Sequence, residues 1–461
     1  MIEMQKKAES KYSVRESSFR YQPRLPLGKQ KVFPLHIEHL DVERILQRLL
    51  KEDLTTFNGE KSICAAHKLH AFPAKFPPQL PRLFIQELTN PGECFLDPMA
   101  GSGTALIEAV LLGRHAIGVD LDPLASLIAH VKSVPSNLSQ CAREGYKVLQ
   151  QARKRTPLSI HNELSHQYTP QSLEFFRYWF EENTITELFT LSQEIKKVKD
   201  ADIRTFLQVV FSSMIITKSG GLTRARDLAH SRPHLDVNKK VKQNAFKVFT
   251  ENLHKAVESL EDIVNAPGSA VIVRSDARRL PLQSNSVHLI VTSPPYAANA
   301  IDYIRAHKFS LIWLGHPPKI LTALRSKYIG SELRSSNLEF KSETANRVIR
   351  NLQRIDKGRA AVVAHYFHDM EAALIEMLRV LVVGRAAVLV VGSSTIRGIE
   401  IKAPTVLAEL ADSIGFKVIG MAKREIMRNA RMMPVSHNSS RNGIEARMHE
   451  EGVIGLIKPG Q

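Results

Sequence analysis

The chain has 461 residues, 43% of them hydrophobic, and 63 Lys+Arg against 46 Asp+Glu give it a formal net charge of +17. That length and apolar content exclude a disordered chain and allow two or three domains; the positive excess suits a polyanionic partner, or equally a generally basic soluble enzyme. Three distant cysteines, Cys64, Cys94 and Cys141, with no CxxC pair and no finger-like histidines exclude a disulfide framework and a zinc finger, and no uncharged stretch reaches membrane-spanning length.

The charged start "MIEMQKKAES" has no apolar core after it, so the expectation is a cytoplasmic protein, neither exported nor membrane-embedded. Residues 1–60 read as a basic, irregular N-terminal extension, with "YQPRLPLGKQ" as an arm or lid. From Glu93 the pattern changes. "ECFLDPMAGSGT" is an apolar strand running into a Gly-rich turn, "TALIEAVLLGR" an apolar-faced helix, and "HAIGVDLDP" a second strand ending in carboxylates. Residues 61–133 thus open an α/β domain. Residues 134–265 read as a helical insertion, carried by "SLEFFRYWFEENTITELFTLSQEIKK" and "KKVKQNAFKVFTENLHKAVESLEDIV", and as a candidate target-recognition region. Strands return with "AVIVRSDA", "VHLIVTSPPY" and "RAAVLVVGSS", the last after the helical "HDMEAALIEMLRVL". The helix "PTVLAELADSIG" and strands around "FKVIGMA" and "GVIGLIK" end residues 266–461, the second part of the domain. The expected fold is a doubly wound, Rossmann-like α/β sheet with a helical insertion after the second strand.

In such sheets ligands sit beyond the carboxyl ends of the strands, where this chain's unusual residues fall. Gly101 and Gly103 let backbone approach a ligand, and Thr104 opens a helix whose first amides attract a carboxylate or phosphate. A P-loop needs a GK[ST] that is absent, and a dinucleotide fingerprint needs a third glycine where Leu106 stands. Asp120 closes the second strand, where a carboxylate accepts both hydroxyls of a ribose, and Asp276 follows the third, facing a base amine. Each aspartate alone reads as a cap or turn residue. Together they describe a pocket for a ribose, an adenine and a carboxylate without a required phosphate, which fits S-adenosylmethionine better than NAD or ATP.

"TSPPY" ends an apolar strand on two prolines, a stiff stub whose carbonyls have no partner within the segment. "DPMAGSGT" followed by "TSPPY" resembles the cofactor loop and catalytic motif of the S-adenosylmethionine-dependent amino-methyltransferases acting on DNA at cytosine N4 or adenine N6. "HAFPAKFPP" is similar to the segment that family sets against the cofactor. The likeness spans about residues 65–130 and 268–461. It implies Phe72 and Lys75 near the cofactor's adenine or methionine end, Asp97, Gly101 and Gly103 around the methionine moiety, Asp120 on the ribose and Asp276 on the adenine amine. Ser293, Pro294, Pro295 and Tyr296 would hold the target base. The family's association of serine before Pro-Pro-Tyr with cytosine N4 favours that base, with adenine N6 open. An activated methyl requires neither a metal nor a covalent enzyme intermediate. Many members place the catalytic motif before the cofactor loop, whereas here it follows.

Residues 316–360 carry ten Lys or Arg against four Asp or Glu, which suits a phosphate-contacting wall as well as a solvated surface. Arg224, Arg226 and Arg232 in "TKSGGLTRARDLAHSRPH" and the basic "RNARMMPVSHNSSRNG" are further candidates. The expected partner is DNA, with a cognate restriction endonuclease alongside. Methylation of structural RNA and a non-catalytic nucleic-acid-binding protein are the alternatives, RNA ranking lower because no RNA-binding module is appended.

Overall fold

Strands that are apolar on both faces demand cover on both sides, and the chain provides helices for each. The computed structural model describes residues 41–54, 64–73, 75, 77–155, 157–217, 221–225, 243–297, 302–330, 339–426 and 450–460. Strands β1 (Cys94–Asp97), β2 (His115–Asp120), β3 (Ser269–Arg274), β4 (Val287–Thr292), β5 (Leu381–Gly392), β6 (Lys417–Glu425) and β7 (Glu450–Ile457) form one sheet in the order β3-β2-β1-β4-β5-β7-β6. The first five run parallel, and β7 lies antiparallel between β5 and β6. Phe95, Leu289, Val291 and Val388 face one core, and Leu96, Ile290, Ala387 and Leu389 the other, by the two-residue alternation of a strand. This is the doubly wound sheet expected.

Helices α1 (Val42–Leu49), α2 (Gln79–Leu88) and α3 (Thr104–Leu111) cover the first face; Lys357–Val380 and Ala403–Ser413 cover the second. Helix α1 departs from the irregular reading of residues 1–60. Asp41 caps it by accepting from Arg44 N at 3.0 Å, and Val42, Leu46 and Leu49 are buried at helical spacing. A dense charged face hid that stripe in the sequence. The missing third glycine also has an explanation. Helix α3 packs closely on β2 because Gly118 leaves room for Leu106, whose Cδ1 would lie 2.4 Å from a Cβ there. Leu106 and Gly118 thus exchange the roles a dinucleotide loop would give them.

After β2, helix α4 (Pro123–Ser133) leads into a run of helices from Leu138–Arg153 to Glu261–Val264. The segment read as one long helix is two, Pro170–Trp179 and Glu182–Lys196, separated by the extended backbone of Phe180. Phe176 stacks on Trp313 with ring centroids 3.7 Å apart, and the Tyr168 hydroxyl donates to Trp313 O at 3.0 Å. These contacts fasten the insertion to the segment after β4, within the compact unit that holds all the described residues.

Candidate active site

Strand β1 lies between β2 and β4, so the chain leaves β1 toward one side of the sheet and returns to start the other. In doubly wound sheets the ligand crevice lies at such a reversal, at the carboxyl ends of the strands. The last residues of the two strands meet there: Thr292 Oγ1 donates to Asp97 Oδ1 at 2.7 Å. Met99 N donates to the same oxygen at 3.2 Å. Burial pushes the Asp97 carboxyl up to about 7, against the pull of both hydrogen bonds. Two motifs far apart in sequence therefore share one buried carboxyl group.

The Gly-rich turn runs from this point. Gly101 (φ +51°) and Gly103 (φ +80°) are both left-handed, and Thr104 is the first residue of α3. A Cβ on Gly103 would sit 3.0 Å from Ala129 Cα, so glycine is needed for space as well as for φ. Gly101 N donates to Asp120 Oδ2 at 2.7 Å and Asp122 N to Asp120 Oδ1 at 2.8 Å. Each oxygen keeps a second lone pair, which suits two neighbouring hydroxyls. Burial, then the charge of Asp122, pushes the Asp120 carboxyl up to about 6. Phe72 lies over Gly101 and stacks on Tyr303 at 5.2 Å. Lys75 Nζ donates to His67 O at 2.9 Å and His70 O at 3.3 Å, bracing its own segment.

Ser275 N donates to Asp120 O, which brings the turn after β3 to the same rim. Asp276 is gripped by Arg278, Nε on Oδ1 at 2.9 Å and Nη2 on Oδ2 at 2.6 Å, while Arg278 Nη1 reaches Asp369 Oδ1 at 2.6 Å. Burial raises the Asp276 carboxyl, but the Arg278 bonds prevail and hold it below the usual range.

Beyond Thr292, neither the Ser293 hydroxyl nor the Pro294 carbonyl takes a hydrogen bond among the described residues. The stub is nevertheless held at both ends. Thr292 is tied to Asp97, the Tyr296 hydroxyl donates to Glu451 Oε1 at 2.6 Å, and Ser394 Oγ donates to Ala297 O at 2.9 Å. Pro295, between them, has no N–H to give. The arrangement presents two acceptors, unused among the described residues, beside the Gly-rich turn.

Several neighbours were not singled out from the sequence. Asp122 accepts from His307 Nδ1 at 2.9 Å and from the Tyr328 hydroxyl at 2.8 Å, and it caps α4. Burial opposes its ionisation, but His307 and the helix amides hold it below the usual range. Lys132 is fully buried under the turn, with Nζ on Ser102 O at 3.1 Å. The four-residue spacing of Tyr303 and His307, just after the diproline, was the one available signal. Of the basic candidates, Arg224 is paired with Glu181. Arg226, Arg232 and residues 427–449 lie outside the described residues, as do residues 1–40 and 55–63 of the N-terminal reading.

A mostly parallel sheet with this strand order, a Gly-rich turn after β1 and carboxylates closing β2 and following β3 fit an S-adenosylmethionine-dependent methyltransferase. The family model for DNA methylases of the N6/N4 type matches residues 5–130. The Type II methyltransferase M.MvaI of Kocuria varians is 24% identical over 365 residues, covering 75% of this chain and 80% of that protein. M.BsoBI of Geobacillus stearothermophilus is 22% identical over 449 residues, with 84% and 86% covered. M.MjaII of Methanocaldococcus jannaschii reaches 41% over 66 residues, 14% of this chain and 12% of its own. Among solved structures, the rRNA methyltransferase aviRa of Streptomyces viridochromogenes superposes at a TM-score of 0.30 with 10% identity, covering 89% and 96%, too loosely to add to the strand order. Over most of its length the chain is thus similar to Type II DNA methyltransferases, and over residues 5–130 to the DNA amino-methyltransferases of the N4/N6 type; S-adenosylmethionine is its cofactor.

Proposed function

We propose that this enzyme methylates cytosine N4 in duplex DNA, as the modifying half of a restriction–modification pair. The carrying observation is the pair of acceptors, Ser293 Oγ and Pro294 O, that have no partner among the described residues and are mounted beside the Gly-rich turn by the Thr292–Asp97 bond. An exocyclic amine is a poor nucleophile because its lone pair is delocalised into the ring. Two acceptors about 3 Å from the nitrogen draw its hydrogens out of plane and localise that pair. Ser293 and Pro294 take that role, and Tyr296 stacks on the base. The base reaches them only after leaving its stack, since its amine is otherwise paired.

When bound, S-adenosylmethionine supplies an electrophilic methyl group on a sulfonium. Asp120 would hold the ribose hydroxyls on its free lone pairs, Asp276 the adenine amine, and Asp97, Gly101, Gly103 and Thr104 would line the methionine end, with Phe72 closing over Gly101. Lys75 acts by fixing the Phe72 segment. After transfer the nitrogen gives up one hydrogen as a proton to water. Serine before Pro-Pro-Tyr supports cytosine N4 by family resemblance, and the Type II relatives support the restriction context. Residues 134–265 are proposed to read the target, since they pack on the segment that follows the diproline corner.

Labelled-methyl transfer to duplex DNA and to RNA, followed by mass spectrometry of the nucleosides, tests this reading. N4-methylcytosine from DNA supports it; N6-methyladenine corrects the base; methyl-RNA alone overturns it.

A further inference from the structure

The Tyr296 ring is held at its far end as well as by its backbone. Its hydroxyl donates to Glu451 Oε1, and Glu451 Oε2 takes Nη1 of Arg424. Glu451 is 9% exposed and Arg424 5%, so this is a desolvated ion pair. Arg424 faces Glu451 across the β6–β7 ladder, and Glu451 pairs with Gly392 at the carboxyl end of β5. The pair thus stands on the same sheet edge as the Ser293–Pro294 corner. Tyr296 itself is only partly buried, packed against the core on that side of the sheet.

We propose that Glu451, locked in place by Arg424, is a positioning residue for methyl transfer, fixing the Tyr296 ring so that it meets the target base at one set angle. The proposal rests on the function given above. A buried ion pair seldom adds net stability over apolar residues of the same size. Placed behind the tyrosine that stacks on the base, it supplies orientation. Arg424 donates to Glu451 Oε2, which leaves Oε1 to accept from the tyrosine hydroxyl and hold it as donor. Burial, and then Glu451 itself, push the Tyr296 hydroxyl well above the ordinary tyrosine range, so it remains a donor wherever the enzyme is stable.

The test combines Glu451→Ala, Glu451→Gln, Tyr296→Phe and the double variants. Glu451→Ala is expected to lower kcat about 10- to 100-fold, with KM for S-adenosylmethionine unchanged, the scale of a small misplacement of a reacting group. Glu451→Gln, whose one amide oxygen can serve Tyr296 or Arg424 but not both, should lose less rate than Glu451→Ala. In a Tyr296→Phe background Glu451→Ala lowers the rate no further. Because Glu451→Ala strands a buried Arg424, Glu451→Ala/Arg424→Met provides the version without an unpaired charge. A second readout needs no activity: with fluorotyrosine incorporated, the Tyr296 fluorine resonance is identified by its loss in Tyr296→Phe. Loss of Glu451 should move it and bring its titration down toward the ordinary range. Additive rate losses, or a Tyr296 resonance indifferent to Glu451, would overturn the proposal. A wild-type protein inactive on DNA would overturn the function instead, and the fluorine spectra would still decide this point.

Discussion

Replacing Thr292 by valine keeps the shape of the β4 terminus and removes the hydroxyl that donates to Asp97 at 2.7 Å. The Asp97 carboxyl titrates at about 7 in the folded chain against 3.8 for a free aspartate, with burial the main cause. The folded chain therefore holds this proton more tightly than the unfolded one. Stability from the group is full below the unfolded value and is lost as pH rises through about 7, at no more than about 1.4 kcal/mol per pH unit. A hydrogen bond to a charged partner contributes about 1.5–3 kcal/mol and to a neutral one about 0.5–1.5. Thr292→Val should then cost about 2 kcal/mol above pH 8, where Asp97 is ionised, and about 1 kcal/mol near pH 5.5, where it is protonated. Urea unfolding at those two pH values measures both losses. Equal losses would refute the claim that the bond serves an ionising Asp97. Losses under about 0.5 kcal/mol at both would refute the bond itself.

Affinity for S-adenosylmethionine should fall as pH drops through about 6, where Asp120 gains a proton and loses acceptor capacity; Asp120→Asn should weaken binding about tenfold or more and flatten that dependence, as read by calorimetry. Gly103→Ala, at φ +80° and 3.0 Å from Ala129 Cα, should lose at least about 2 kcal/mol in urea, and an unchanged midpoint would contradict the packing described. Burial drives the Lys132 ammonium well below its usual range, so its cost grows as pH falls; Lys132→Met should stabilise the protein, more at pH 6 than at pH 9 on the order of these values, and a loss at both would show that the Ser102 contact outweighs desolvation.

Local chemistry made much of this protein legible in advance. Apolar runs of strand length, a Gly-rich turn before a helix and carboxylates after strands follow from backbone preferences and alternation, which act over a few residues. They were enough to place Gly101, Asp120 and the diproline at strand ends and to derive a doubly wound sheet. Helix α1 escaped because its three buried residues are spread through a charged segment, and the long helical run divides at Phe180 where no glycine or proline announces a break. What no short window holds is which strands become neighbours. The order that sets β1 between β2 and β4 brings Thr292 to Asp97 and Tyr296 to Glu451 over separations of 195 and 155 residues. Sequence alone determined the pieces of the candidate site, because a turn or strand end is a local choice. Their union at one crevice was decided by the tertiary structure, because burying both faces of the sheet is a property of the whole chain.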